Sequence, residues 1–165
     1  MRVQLAVSQA GHLVRRFVGS LSRRPPAPDD RRWAIEQLLE GEAALWSQMS
    51  VQDQRHSIEV ARRFVASAAE PPARSETAAA LLHDIGKLSS GLGTFGRVAA
   101  TLCGHVIGRR AERGDGRISR YLRHEPIGAE LLVAAGSDPR TIQLVAGRAD
   151  PGDPVSRALA RADEI

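Results

Sequence analysis

The stretch "PPARSETAAALLHDIGKL", residues 71–88, decides the fold class. Paired prolines stop whatever precedes them, Ser75 is placed to cap a new helix, and an Ala- and Leu-rich run then leads straight into His83 and Asp84. Unbranched small residues in such a run favour a helix that neighbours can approach closely. At helical spacing Ala79, His83 and Lys87 share one face, and Asp84 adjoins it. Lys87 is the single lysine among 23 basic residues. A compact ammonium in a chain that otherwise uses guanidinium points to chemistry rather than surface charge, against the plainer role of a cation at a helix C-terminus.

The same pattern extends outward in both directions. "RHSIEVARRFVASAAE" carries Val60 and Phe64 four and eight residues after His56, which turns His56 toward the core side of a helix. "DDRRWAIEQLLEGEAALWSQM" reads as two short helices hinged at Gly41, with Asp as a cap and Trp33, Leu38, Leu39, Leu45 and Trp46 as their apolar set. Downstream, "YLRHEPIGAELLVAAG" has Pro126 suited to a first helical turn and Gly136 to the end, placing His124 at a helix start. "DPRTIQLVAGRAD" is a further short helix. In the closing "VSRALARADEI", Val155, Leu159 and Asp163 recur every four residues, so Asp163 lies on an apolar stripe.

With 165 residues, aromatics at 4% and no strand-like alternation, the expected architecture is all-α, a single compact helical bundle spanning residues 1–165. Residues 1–28 are expected to form an N-terminal amphipathic helix and a Pro-rich linker, and residues 29–165 the helical core. The segment "VQLAVSQAGHLVRRFVGSLSRR" is apolar at helical spacing and free of acids, as a helix laid across a core would be. The lone Cys103 precludes an internal disulfide, and charged residues interrupt every apolar run short of a membrane span, so a cytoplasmic protein without a transmembrane segment is expected. A formal net charge of +4 is spread among acids and prolines, which argues against dedicated nucleic-acid binding.

Two motifs fail on context. "GLGTFG", residues 91–96, matches G-x-G-x-x-G with Asp115 at a suitable distance, but a helical segment stands where a dinucleotide fold needs a buried strand. Cys103 and His105, two apart on an expected helix, point to different sides and lack a third group to orient them.

Two histidines and an acid on core-facing stripes are costly to bury unless paired, and one shared cation would satisfy them all. The arrangement His56, His83 with Asp84, then Asp163 resembles the HD-domain superfamily of metal-dependent phosphohydrolases. "LLHDIGKL" resembles the core of its HD-GYP branch, "RHEPIGAELL" is similar to that branch's downstream His segment, and the likeness to small stand-alone HD proteins spans nearly the whole chain. It implies a bundle of the HD-domain type in which His56, His83, Asp84 and Asp163 hold a divalent metal ion, with Mn, Fe, Mg, Co, Ni and Zn not distinguished. It also implies catalytic roles for Asp84, able to bridge to a second cation, and Lys87, whose ammonium would offset charge on a phosphoryl group attacked by metal-activated water. His124 would take a second metal or a phosphate.

This chain departs from the branch pattern between His124 and Asp163, where it has neither the GYP motif nor the paired histidines. Hydrolysis of cyclic-di-GMP is therefore not expected. The expected partner is a phosphorylated small molecule or nucleotide, hydrolysed as a phosphomonoester, nucleotide or phosphodiester, with a homodimer as one assembly. The alternative is a degenerate HD fold serving as a signalling or protein-interaction scaffold, or as a metal-binding sensor.

Overall fold

The computed structural model describes residues 24–90, 124–147 and 152–164; for Ser89, Ser90 and His124 it describes the backbone alone. The expected N-terminal helix, the glycine motif and Asp115, Cys103, His105, His12 and the side chain of His124 therefore lie outside the described residues. Within them the fold is all-α, without strands. Its elements are α1 (Pro28–Glu36), α2 (Glu40–Ser47), α3 (Val51–Ser67), α4 (Arg74–Leu82), a 3₁₀ turn (Ile85–Ser90), α5 (His124–Ala134), α6 (Pro139–Val145) and α7 (Pro154–Glu164). No described helix is long and apolar enough to cross a membrane.

The centre of the bundle is α4. Every residue from Thr77 through Leu82 is buried, so this helix is covered on all sides, and its alanines let α3, α6 and α2 pack close around it. Its start differs from expectation. Ala73, not Ser75, is the N-cap, and the Glu76 carboxylate reaches back to accept the Ala73 N–H at 3.1 Å. The carboxylate three residues on thus satisfies the N–H of the cap residue itself, and the Ser75 carbonyl accepts a bond from Thr141 Oγ1 on α6 at 2.9 Å.

Helix α3 behaves as its pattern predicts. Ser50 caps it, accepting the Asp53 N–H at 3.2 Å, and Ile58, Val60, Ala61 and Phe64 form its buried stripe. Trp46 is fully buried, and its indole Nε1 donates to Ser57 Oγ at 2.9 Å. The other expected core residues of that region divide. Leu38 and Leu45 pack partly against the core, Leu39 is exposed at the N-cap of α2, and Trp33 is half-buried beneath the Arg62 guanidinium, 3.7 Å from its ring centroid. Ala27, rather than an aspartate, caps α1, because Pro28 occupies the first helical position and Asp29 and Asp30 fall in the first turn.

Gly41 is not a hinge. The break between α1 and α2 falls at residues 37–39, and Gly41 lies inside α2, where a Cβ would run into the carbonyl of Ala135. Close backbone approach explains the glycine. Gly41→Ala should therefore lower stability by about 1–3 kcal/mol, as overpacking does, and the shift in urea midpoint measures it. An unchanged midpoint would mean that α2 and the end of α5 are not in contact.

Beneath this contact lies a fully buried acid that no sequence pattern announced. Glu42 accepts the Leu39 N–H at 2.8 Å and the Arg74 guanidinium at 3.1 Å, and receives the Ser137 hydroxyl on its other oxygen. Ser137 is positioned by the end of α5, where Gly136 takes φ +69° and the N–H groups of Gly136 and Ser137 return to Val133 and Leu132 at 3.1 and 3.0 Å.

Candidate metal centre

Three parts of the chain deliver the site. His56 comes from the middle of α3, four residues before the buried Val60, while His83 and Asp84 follow α4 at the point where it tightens into the 3₁₀ turn. Asp163 comes from the last turn of α7, whose Val155 and Leu159 pack partly against the core as the four-residue repeat requires. The start of α7 is itself anchored. Asp153 Oδ1 accepts the Val155 N–H at 3.0 Å, and Oδ2 pairs with Arg140 of α6 at 2.8 Å.

The side chains converge. His56 Nε2 lies 3.0 Å from Asp163 Oδ1, His83 Nε2 lies 3.7 Å from the same oxygen, and one donor atom from each of these three residues falls within 4.8 Å of the others. The two imidazoles meet edge to face with centroids 5.4 Å apart. Asp84 stands beside this group, its Oδ2 3.5 Å from His83 Nε2. Two ligands sharing one cation through bonds of about 2.1 Å are separated by about 3.0–3.4 Å, close to all three spacings.

His83 supplies the test of whether a cation suits these residues. Its Nδ1 lies 2.9 Å from the Ala80 carbonyl, which can only accept, so Nδ1 carries the proton and in the neutral ring Nε2 presents a lone pair. That nitrogen is buried and has no hydrogen-bond partner among the described residues. It faces carboxylate oxygens of Asp84 and Asp163 at 3.5 and 3.7 Å, and a divalent cation placed among these atoms would attract all of them. The residues fit a metal.

Lys87 sits differently from the expectation of a shared helical face. Because α4 ends at Leu82 and the chain tightens, Lys87 is brought round to Asp84, with its N–H bonded to the Asp84 carbonyl at 3.0 Å and its ammonium on Asp84 Oδ2. Gly128 of α5 packs on this turn, where a Cβ would come within 3.2 Å of Gly86 N.

The hydrogen bond from His56 holds the Asp163 carboxyl below its ordinary value, aided by the neighbouring imidazoles and opposed by partial burial and the Asp84 charge. A depressed carboxyl contributes stability that is present above its unfolded pKa and is lost as pH falls through the folded one. In chelator-treated protein, Asp163→Asn should lower the urea midpoint at neutral pH, and the gap should narrow as pH drops from about 5 toward 3. A gap that stays constant would mean that His56 does not hold this carboxylate ionised.

Two apolar surface grooves among the described residues, one along α1 and one between α5 and α6, include none of these side chains. Comparison of the chain with protein-family models, with curated proteins and with solved structures found no match.

Proposed function

We propose that this protein is a divalent-metal-dependent phosphohydrolase of the HD-domain type, acting on a phosphomonoester, nucleotide or phosphodiester. The observation that carries the reading is the convergence of His56, His83 and Asp163 around a buried imidazole nitrogen that has no hydrogen-bond partner among the described residues. His56, His83 and Asp163 would hold the cation, with Asp84 at its edge. Two imidazoles with carboxylates favour Mn, Fe, Co, Ni or Zn over Mg.

A bound divalent cation supplies Lewis acidity, polarising phosphoryl oxygens and making water easier to deprotonate. The chain's residues do the rest. Ala80 fixes the His83 ring so that Nε2 faces inward, and Asp163 holds the His56 ring in place. Because His56 Nε2 donates to Asp163 in the metal-free chain, that nitrogen would have to give up its proton, to Nδ1 of the same ring or to water, before it could hold a cation. Lys87 and Asp84 form an adjacent plus-and-minus pair: the ammonium would meet a phosphoryl oxygen, and the carboxylate would orient water or accept its proton. Asp163 is partly exposed, which leaves the centre a solvent-facing side for substrate.

The test is metal analysis of protein purified without chelators, followed by phosphate release from aryl phosphomonoesters, aryl phosphodiesters and nucleotides with added manganese. Release that EDTA abolishes and manganese restores supports the proposal. Bound metal without turnover of any ester would make the chain a metal-binding scaffold or sensor, and absence of both would remove the centre altogether.

A further inference from the structure

We propose that Lys87 is a built-in competitor for the metal's carboxylate ligand, and that its ammonium sets how tightly the centre holds a divalent cation. This rests on the metal-centre reading above and adds to it a residue that tunes affinity. The Asp84 oxygen in contact with Lys87 Nζ is Oδ2, the same atom that stands 3.5 Å from His83 Nε2, which has no hydrogen-bond partner among the described residues. The oxygen turned toward the centre is thus the one that the ammonium occupies.

The turn that carries both groups is held in place. Their backbones are joined by the hydrogen bond from Lys87 N to the Asp84 carbonyl, and Gly128 of α5 closes over the turn. The side chains are only 7% and 19% exposed, so solvent screens the pair poorly. A divalent ion that drew on Asp84 would sit beside a fixed positive charge, and like charges in a partly dry pocket repel. His56, His83 and Asp163 escape this competition, since their donor atoms group together without Asp84. The arrangement therefore sets the Lys87 ammonium against Asp84 alone, as suits a metal that loads and leaves rather than one held permanently.

The experiment is a Mn²⁺ titration of wild type, Lys87→Gln and Lys87→Arg at one pH, with free Mn²⁺ followed by electron paramagnetic resonance. Glutamine keeps a hydrogen-bond donor for Asp84 but removes the charge, and should bind Mn²⁺ about tenfold more tightly or better. Arginine keeps the charge and should stay close to wild type. As a second measure, Mn²⁺ should raise the melting temperature of Lys87→Gln more than that of wild type, a comparison that survives any loss of basal stability. A glutamine variant that binds no more tightly than a metal-binding wild type overturns this inference alone. A wild type that binds no Mn²⁺ overturns it together with the metal centre.

Discussion

Replacing Asp163 with alanine should cost the centre more than about a hundredfold in divalent-metal affinity, and with it all metal-dependent phosphate release, while the helical circular dichroism stays near wild type. The affinity estimate starts from the effect of residues that merely support a ligand, which reaches about 10–100-fold, and a ligand contacted by both imidazoles should exceed it. The fold should survive because Asp163 is partly exposed in the last turn of α7, whose attachment depends on Val155, Leu159, Ala162 and the Asp153–Arg140 pair. Metal titration and circular dichroism on one sample separate the two effects. Full metal occupancy in the variant would place the cation elsewhere.

The second large effect falls on Lys87 and runs in two directions at once. Lys87→Gln should lower turnover by roughly a hundredfold or more, as removal of one charge contact to a transition state does, even as it binds metal more tightly. Lys87→Arg should restore metal affinity but little turnover, because a planar guanidinium on a longer stem does not reproduce a compact ammonium at one oxygen. Steady-state kinetics at saturating manganese measure the loss. Equal turnover in wild type and Lys87→Gln would confine Lys87 to holding Asp84 and the turn.

Much of this site is legible in the sequence because its residues obey helical spacing. His56 precedes Val60 and Phe64 by one and two turns, and Asp163 follows Val155 and Leu159 in the same way, so helix formation alone carries both to the side of the bundle where they meet. What spacing does not convey is where a helix stops. Continuing α4 through residue 87 would put Lys87 over His83, whereas the helix ends at Leu82 and the 3₁₀ turn gives Lys87 to Asp84. The proposed competition between ammonium and metal rests on that contact.

Other features depend on partners far away in the chain. A glycine serves equally well as a flexible joint or as a place where backbone passes close, and only the position of Ala135 decides for Gly41. The buried Glu42 looks like an ordinary helix acid until Arg74 and Ser137 arrive from other elements to pair with it. Ser75 likewise has the chemistry of a cap, but the Glu76 carboxylate reaches Ala73, so the helix begins earlier.

The central claim is that one divalent cation is held between His56, His83 and Asp163, and the most direct measurement is anomalous diffraction from crystals grown with manganese. The account predicts a peak about 2.0–2.3 Å from His56 Nε2, His83 Nε2 and an Asp163 carboxylate oxygen. Density without an anomalous peak there, with His83 Nε2 hydrogen-bonded to a protein group instead, would contradict it.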